Sequence, residues 1–307
     1  VIYEAMAEFG GMLKYGILLY RLPKDILQLE IKLIESMGVK LVPNTRVGKD
    51  ISLDHIREQS DATFISIGAW ESAIIPCKGH KLNRVHGGIE FLNKFAINDP
   101  IKVGQKIAVI GGGNTAMDAA RTSIRLGAQK VYAIYRRTKD DMPAVDVEIK
   151  ESMEEGVEFE FLLNPVEIIG EDGNVSKIKL EKMKPVGKDK RGRTKIEKTG
   201  KYKTIEVDSV IMSIGQKLDN KGFEDIELNE WGNIKSDLST WQTNLEDVFA
   251  GGDCINDGAD IAISAIYDGR QAASMIDSYL HGEIVPKKDL SYVKQKNLTL
   301  KDFPDIN

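Results

Sequence analysis

The sequence predicts an α/β protein that contains Rossmann-like units, each built on a parallel sheet. Three observations predict this class. Apolar runs end in a glycine at Gly68, Gly111 and Gly215. A strand, a glycine turn, a helix and a second strand follow one another over residues 107–135, which is the length that a parallel crossover needs. A further glycine turn follows the apolar run 248–250, so the pattern accommodates two such units, in tandem or nested.

Length and composition limit the kind of protein. The 307 residues are 42% hydrophobic and 29% charged, which suits an enzyme-sized protein of two globular domains. The formal net charge of −5 argues against a general nucleic-acid or membrane binder. Because no apolar run approaches the ~18 residues of a membrane-spanning helix, no membrane span is predicted.

The two cysteines, Cys77 and Cys254, exclude a disulfide framework, a CxxC redox pair and a Cys/His zinc site. Free cysteines are typical of a reducing, cytoplasmic compartment. The four histidines lack the spacing of metal ligands, and no hydrolase motif is present. We therefore predict no metal site and no hydrolytic catalytic residue, and expect bound cofactors to carry the chemistry.

The first hundred residues alternate short strands and helices. Apolar side chains at helical spacing predict a helix that ends at Gly38, and Ser52 is placed to begin a second helix. The predicted strands are 1–4, 39–42 and 62–67, and the predicted helices are 23–37, one from 52, and 89–97.

The pattern restarts near residue 102. The predicted strands are 107–110, 131–135, 157–163, 166–169, 177–182, 207–214 and 248–250, and the predicted helices are 114–126, one from Pro143 to Gly156, and one from about 262. Asp172-Gly173 supplies a hairpin turn. Residues 182–203 hold ten Lys or Arg, which favours a solvated hairpin loop over a binding patch. The Lys-rich tail beyond Gly282 is predicted to pack loosely.

The strongest local signal is Gly111-Gly112-Gly113-Asn114-Thr115-Ala116, a GxGxxA motif between an apolar strand and a helix. The first glycine of such a motif allows the tight turn, the next lets the backbone approach a pyrophosphate, and the alanine lets the helix pack on the strand. Free N–H groups at the helix start face the phosphates. The flanking strand and helix favour a dinucleotide site over a purely structural turn.

The end of the following strand indicates which dinucleotide binds. A site for NAD places an acidic residue there to accept from the ribose 2′-hydroxyl, whereas this sequence has Arg136-Arg137. Guanidinium groups suit a 2′-phosphate, so the pair favours NADP(H) over NAD(H). A solvated arginine pair at a strand end is the alternative.

Two further features indicate a second dinucleotide site. Glu4 ends the first strand, where the ribose-binding acid of a Rossmann unit stands about twenty residues after its glycine motif. That motif would precede Val1, and Gly10-Gly11 offers backbone that a ligand can approach. Near the other end, Gly251-Gly252-Asp253 lies between a strand and a helix, so the carboxylate of Asp253 can accept from a sugar hydroxyl. An ordinary turn is the alternative for that segment.

Taken in order, these motifs resemble the glutamate synthase small (β) subunit family. The closely related NADPH modules of dihydropyrimidine dehydrogenase and of ferredoxin-dependent NADP transhydrogenase share the order, which extends to about Gly282. The matching segments are Glu4-Ala5-Met6, Gly10-Gly11-Met12-Leu13, Tyr20-Arg21-Leu22-Pro23, Gly111-Gly112-Gly113-Asn114-Thr115-Ala116-Met117-Asp118, Tyr135-Arg136-Arg137, Met142-Pro143-Ala144 and Phe249-Ala250-Gly251-Gly252-Asp253.

The resemblance implies an FAD domain interrupted by an inserted NADPH domain, each a three-layer Rossmann-like unit, as in thioredoxin-reductase-like flavoproteins. The FAD domain would comprise 1–103 and 215–283, the NADP(H) domain 104–214, and a tail 284–307. The implied FAD-side residues are Glu4 at the adenosine ribose, Gly11, Met12, Leu13 and Arg21 near the flavin, Asp253 at the ribitol, Ala262 and Ile263 at the flavin or its phosphates, and Gly252 as a further cofactor-binding residue. The implied NADPH-side residues are Gly111, Gly113, Asn114, Thr115, Arg136 and Arg137, with Met142 and Pro143 near the nicotinamide. Gly68 and Gly215 would mark the crossings between the domains.

The activity that the resemblance implies is hydride transfer from NADPH to FAD, with electrons leaving singly to iron–sulfur centres on a missing domain or a large subunit. With a glutamate synthase large subunit, the overall reaction makes two glutamates from glutamine and 2-oxoglutarate. Ferredoxin, a hydrogenase or another reductase subunit are alternative acceptors, and a non-catalytic NADP-binding piece without flavin is a third hypothesis. Thioredoxin reductase activity is disfavoured because it needs a dithiol.

The start of the chain departs from the family pattern. Val1 already lies within the first predicted strand, and neither the GxGxxG motif for FAD nor the cysteine-rich iron–sulfur domain of the family is present. We therefore expect the chain to be a piece of a longer reductase. Leu18-Leu19 also stands where many relatives have proline and an acidic residue.

Overall fold

The structure is a computed structural model that describes residues 1–99, 101–189, 192–256, 261–284 and 286. The described residues form seven α-helices and fourteen β-strands. The helices are α1 (Gly11–Tyr15), α2 (Lys24–Ser36), α3 (Leu53–Glu58), α4 (Gly88–Ala96), α5 (Asn114–Arg125), α6 (Asp146–Glu154) and α7 (Ala262–Leu280). The strands are β1 (Ile2–Tyr3), β2 (Leu41–Val42), β3 (Thr63–Ile65), β4 (Glu71–Ser72), β5 (Val85–Gly87), β6 (Lys106–Ile110), β7 (Lys130–Tyr135), β8 (Glu158–Phe161), β9 (Leu163–Glu171), β10 (Asn174–Lys188), β11 (Thr194–Glu206), β12 (Ser209–Met212), β13 (Gln216–Lys217) and β14 (Val248–Ala250).

A five-stranded parallel sheet forms the central unit, in the order β5-β12-β6-β7-β8. The predicted crossover from β6 through α5 to β7 is confirmed to within one residue at each boundary. Ala116, Ala119 and Ala120 are fully buried and allow α5 to pack closely on the sheet. The carboxyl ends of β6, β7 and β12 meet at one edge, where ligands of such sheets bind.

The strand β5 adds an edge to this sheet from earlier in the chain. It pairs in parallel with β12 through Val85, His86 and Gly87. The central sheet therefore takes one strand from the segment 1–103, which the sequence assigned to the first part of the outer domain. The limits 103/104 and 214/215 stay predictions.

The long hairpin of β10 and β11 corrects one expectation. Residues 182–203 were expected to form a solvated loop, but β10 runs to Lys188 and β11 resumes at Thr194, with register shifts along the ladder. Backbone hydrogen bonds satisfy this ladder although its side chains are mostly exposed, so no buried face is needed. The predicted turn at Asp172-Gly173 is confirmed, and both residues have positive φ, 51° and 78°.

The outer unit is built from segments near both ends of the chain. β1 pairs in parallel with β2, and β14 pairs in parallel with β3. The hydrophobic core of the outer unit includes Phe249 of β14, Trp241, and Met275 of α7. The two chain crossings lie side by side, because β4 and β13 form an antiparallel pair shortly after Gly68 and directly after Gly215.

The predicted tail 284–307 lies outside the described residues except for positions 284 and 286. Within the described part of the chain, none of the helices combines the length and the apolar character that a bilayer crossing requires.

Candidate functional site

A connected cavity of about 1470 Å³ lies between the central and outer units. Sites for one small ligand typically enclose ~300–1,000 Å³. Three glycine turns line the cavity: Gly111–Gly113 after β6, Gly215 after β12, and Gly251–Gly252 after β14. The volume and the positions of the turns suit two dinucleotides that meet within one space.

Most of the predicted cofactor residues line this cavity. Those that do are Met12, Leu13, Arg21, Gly68, Gly111, Gly113, Asn114, Thr115, Arg136, Arg137, Pro143, Gly215, Gly252, Asp253 and Ala262. Those outside its lining are Glu4, Gly11, Met142 and Ile263. The structure therefore gathers residues from both ends of the chain and from its middle around one space.

The residues outside the lining have identifiable surroundings. Met142 is buried in the core of the central unit, so its side chain turns away from the cavity. Ile263 is 64% exposed, because Ala262 and Ile266 occupy the cavity-facing side of α7. The Glu4 carboxylate accepts a hydrogen bond of 2.8 Å from the Met6 N–H, and burial raises the pKa of this group. Gly11 begins α1 with a φ of 50°.

Two long helices begin at the cavity without a side-chain cap. α5 follows Gly113 and α7 follows Ile261, and neither of these residues caps its helix through a side chain. The first N–H groups of a helix have no partner within the helix, and the dipole makes that end positive. Each helix start therefore offers a site for a phosphate group.

The three glycines of the turn after β6 differ in the space around them. A Cβ at Gly111 would lie 2.1 Å from the Ser213 carbonyl oxygen, and one at Gly112 would lie 2.7 Å from the Tyr135 ring. A Cβ at Gly113 would have as its nearest neighbour Pro143 Cγ at 3.8 Å. The first two glycines are required by the packing, whereas Gly113 keeps space open at the start of α5.

The segment after Met142 covers this turn and corrects a predicted boundary. The helix that was expected to begin at Pro143 begins at Asp146, as α6. The Ala144 N–H donates to the Gly112 carbonyl at 3.0 Å, and the Val145 N–H donates to Asn114 Oδ1 at 3.0 Å. These two bonds hold the segment extended, so Pro143 lines the cavity beside the turn.

A concentration of positive charge marks the end of β7. Arg136 and Arg137 line the cavity, and among the residues that the structure describes neither forms an ion pair. Burial lowers the pKa of Arg136, and the charges of Arg137 and Arg193 lower it further. Neighbouring guanidinium groups without a compensating carboxylate form an anion site.

Two polar groups that sequence reasoning missed lie at the end of β12. Ser213 Oγ and Gln216 Oε1 are buried, line the cavity and have no hydrogen-bond partner in the described structure. Such atoms are normally satisfied, so a ligand that supplies partners fits this position. Their place on either side of Gly215, after a buried strand, was the signal that could have identified them.

The residue Arg21 has a second role besides lining the cavity. Its guanidinium contacts both carboxylate oxygens of Asp118 on α5, at 2.7 and 2.9 Å, and Glu148 on α6 at 3.0 Å. Asp118 is 5% exposed, and burial raises its pKa to about 6 against the opposing charge of Arg21. Leu18, one turn earlier, is buried in the core of the central unit. Residues 18–21 therefore fasten the outer unit to the central one.

The two thiols do not form a redox centre. Cys77 and Cys254 are both free and buried, and they belong to different core clusters. Burial raises the pKa of Cys254 to about 12, so this thiol is protonated at neutral pH. This geometry agrees with the sequence argument against a dithiol reductase.

Comparison with known proteins places these features in a family context. The sequence pattern of the pyridine nucleotide-disulphide oxidoreductase family matches residues 11–269. The NADP(+)-dependent formate dehydrogenase subunit beta of Moorella thermoacetica is 38% identical over 286 residues, which are 91% of this chain and 40% of that protein. The glutamate synthase (NADPH) small chain of Halomonas elongata is 34% identical over 297 residues, which are 91% of this chain and 62% of that protein.

Among solved structures, Mycobacterium tuberculosis FprA in complex with NADPH aligns with a TM-score of 0.77 at 17% identity, over 94% of this chain and 80% of that chain. This likeness confirms the predicted fold class, and the glutamate synthase relative confirms the resemblance seen in the motifs. The chain spans 40% and 62% of the length of the two curated relatives.

Proposed function

Because the chain belongs to the pyridine nucleotide-disulphide oxidoreductase family, we propose that it binds FAD and NADP(H) and passes hydride from NADPH to the flavin. The observation that carries this proposal is the connected cavity, whose lining includes the glycine turns and helix starts of both units. A nicotinamide held from the central side and a flavin held from the outer side would meet there. The names of the formate dehydrogenase and glutamate synthase relatives support NADPH as the donor.

The central unit holds NADP(H) in this proposal. Gly113 and the start of α5 bind the pyrophosphate, and Arg136 with Arg137 binds the 2′-phosphate. Ser213 and Gln216 supply hydrogen bonds to polar groups of the nucleotide, because their buried oxygens otherwise lack partners. These residues would therefore bind the pyrophosphate, bind the 2′-phosphate and orient the nucleotide in the cavity.

The outer unit holds FAD. The start of α7 at Ala262 faces the cavity beside Gly252 and suits a phosphate or a ring carbonyl. Asp253 also lines the cavity, where its carboxylate can accept from ribitol hydroxyls. Met12 and Leu13 of α1 contribute apolar surface for the flavin ring.

Positioning is the main contribution of the protein to the reaction. FAD, when bound, supplies a ring that accepts a hydride and releases electrons singly. Ile89, Leu92 and Ile110 contribute apolar side chains to the lining of the cavity, which would limit the access of water to bound cofactor rings. Residues 18–21 hold the two units at a fixed separation, so the orientation is set before the reactants arrive.

The electron acceptor belongs to a larger assembly in this proposal. We assign the exit to an iron–sulfur centre on a large subunit or another partner, because two relatives carry subunit or small-chain names. Supply of electrons for glutamate synthesis is one such role, and service to another reductase is the alternative. The two buried free thiols support a reducing, cytoplasmic compartment.

The spectrum of the purified chain after addition of FAD and removal of the unbound flavin tests this function. We expect a retained flavin band that NADPH bleaches under anaerobic conditions and NADH does not. A colourless chain that still binds NADP(H) would favour the non-catalytic alternative. Equal bleaching by both nucleotides would contradict the assignment of Arg136 and Arg137.

Matched substitutions in the glycine turn test the phosphate assignment. Gly111→Ala is expected to lower the free energy of unfolding by about 3 kcal/mol or more, because its Cβ would lie 2.1 Å from the Ser213 carbonyl oxygen at a φ of 148°. Gly113→Ala is expected to preserve stability and weaken NADPH binding about tenfold, because its methyl group enters the phosphate space. Thermal denaturation and nucleotide titration measure the two effects. Unchanged NADPH affinity in Gly113→Ala would contradict the assignment.

A further inference from the structure

We propose that Arg193, which directly precedes β11, completes the 2′-phosphate site and selects NADP(H) over NAD(H) together with Arg136 and Arg137. This inference rests on the proposed function, because it names a specificity determinant of the same nucleotide site. The sequence motifs give no indication of it, since Arg193 lies in the Lys-rich segment that was expected to be solvated.

The hairpin brings the start of β11 back to the nucleotide-binding edge of the central sheet. β10 ends at Lys188 and β11 begins at Thr194, so Arg193 stands directly before the returning strand. Arg193 lines the same cavity as Arg136 and Arg137. Three guanidinium groups from two distant parts of the chain therefore line one cavity.

Hydrogen bonds fix the start of β11 to the loop that follows β7. Arg137 Nε donates to the Thr194 carbonyl oxygen at 2.9 Å, and the Thr194 N–H donates to Asp141 Oδ1 at 2.7 Å. Burial opposes ionisation of Asp141, but hydrogen bonds from Thr138 and Thr194 outweigh it and hold the pKa of Asp141 at about 2. Asp141 is therefore ionised at neutral pH, and the anchor beside Arg193 is a charge-assisted hydrogen bond.

Asp189 fixes the orientation of the Arg193 side chain by accepting two hydrogen bonds from this residue. Its Nε donates to Asp189 Oδ2 at 3.1 Å, and its backbone N–H donates to Asp189 Oδ1 at 3.0 Å. The side chain is 51% exposed, which leaves guanidinium surface for an anion in the cavity. Because the guanidinium is a rigid planar fork, holding Nε fixes the direction of the remaining donors.

The charge balance favours a dianion over a hydroxyl at this place. Arg136 and Arg137 form no ion pair in the described part of the chain, although Asp189 pairs with Arg193 and the ionised Asp141 accepts a hydrogen bond from the neighbouring Thr194. The charge of Arg193 also reaches Arg136, since it contributes to lowering the pKa of that group. A 2′-phosphate carries about two negative charges at neutral pH and can pair with the guanidinium groups that lack a carboxylate partner, whereas the 2′-hydroxyl of NAD(H) carries no charge.

Binding of adenine nucleotide fragments tests the inference without any flavin. Titration calorimetry on the full chain compares 2′,5′-ADP with 5′-ADP, which lacks the 2′-phosphate. We expect Arg193→Ala to weaken 2′,5′-ADP about tenfold, which is the loss of one partly exposed charge-assisted hydrogen bond, and to leave 5′-ADP within about twofold. Arg193→Lys keeps the charge without the fork and should lose only part of this affinity.

The matched control is Lys195→Ala. Lys195 is an exposed cation on β11 that does not line the cavity, so its removal changes the net charge equally. Both ligands should bind this variant within about twofold of the unchanged chain, because Lys195 does not line the cavity and solvent screens its exposed charge. Thermal denaturation of Arg193→Ala should match the unchanged chain, because the Arg193 side chain is half exposed and lies outside the hydrophobic core.

Three results would overturn the inference, and the first two leave the proposed function standing. If Arg136→Ala weakens 2′,5′-ADP but Arg193→Ala does not, the hairpin takes no part and the proposed NADP(H) site stands. If Arg193→Ala weakens both fragments equally, Arg193 does not recognise the 2′-phosphate. If the unchanged chain fails to prefer 2′,5′-ADP over 5′-ADP, the proposed function and the hairpin inference both fail.

Discussion

Replacing Arg136 by glutamate is expected to weaken NADPH binding about 100-fold or more and NADH binding by less than about threefold, since loss and reversal of a phosphate-binding charge is worth ~3 kcal/mol. Arg136 lines the cavity without a compensating acid among the described residues. A carboxylate in its place would face the 2′-phosphate, whereas the 2′-hydroxyl of NADH is uncharged. Fluorescence titration with each nucleotide measures the two dissociation constants.

The control for this prediction is Arg84→Glu. Arg84 is an exposed arginine outside the cavity, so the substitution makes the same change in net charge. We expect both nucleotides to bind this variant normally, because solvent screens the distant charge. Equal losses of NADPH and NADH affinity in Arg136→Glu would show that this residue does not recognise the 2′-phosphate.

Arg21→Ala is expected to lower the free energy of unfolding by about 3 kcal/mol at pH 8, because breaking a buried ion pair leaves an uncompensated charge. The charge left behind is that of Asp118, which is 5% exposed. Glu148 keeps its contact with Arg121 at 2.6 Å. Urea denaturation of the variant and of the unchanged chain measures this difference.

The destabilisation should depend on pH in a defined direction. Burial already raises the pKa of Asp118 to about 6 in the folded chain, above its ordinary value of 3.8. Without Arg21 the folded-state pKa would rise further, so the folded chain binds the proton more tightly than the unfolded chain does. The loss of stability is therefore largest at alkaline pH and becomes smaller as the pH falls toward 5.

Two further variants decide whether the charge of Asp118 is the cause. The double variant Arg21→Ala/Asp118→Asn should recover part of the lost stability, because no buried charge remains. Arg46→Ala breaks a more exposed pair with Asp219 at 3.5 Å and should cost less than about 1 kcal/mol. A similar, pH-independent loss in Arg21→Ala and Arg46→Ala would contradict the role of Asp118.

The parts of the fold that sequence reasoning predicted are those that local signals determine. The β6–α5–β7 crossover is formed by one continuous stretch of sequence, with an apolar strand, a glycine turn and an alanine-rich helix face. The strand β5 has three residues and gains its identity only by pairing with β12, more than a hundred positions later. The exposed ends of β10 and β11 have no buried face, so they lack the period-two apolar pattern that marks a strand.

The same distinction applies to the candidate site. Gly113 and Arg136 stand at characteristic positions of one strand–helix–strand crossover, so the sequence alone could identify them. Both line the cavity. Arg21 was expected near a flavin, but its partner Asp118 stands 97 positions away and no spacing rule connects them. Arg193 reaches the cavity only because a long hairpin folds back onto the sheet. Contacts of this kind depend on tertiary structure and leave no periodic or motif signal.

Direct hydride transfer within one shared cavity is tested most directly by anaerobic rapid mixing of the FAD-loaded chain with NADPH that carries deuterium at C4 of the nicotinamide. We expect the flavin band to bleach in a single turnover without any partner protein. The transferred deuterium should slow this bleaching relative to ordinary NADPH, while deuterium on the opposite face of C4 should not. A flavin band that NADPH leaves unchanged, in a chain that binds both cofactors, would contradict the central claim.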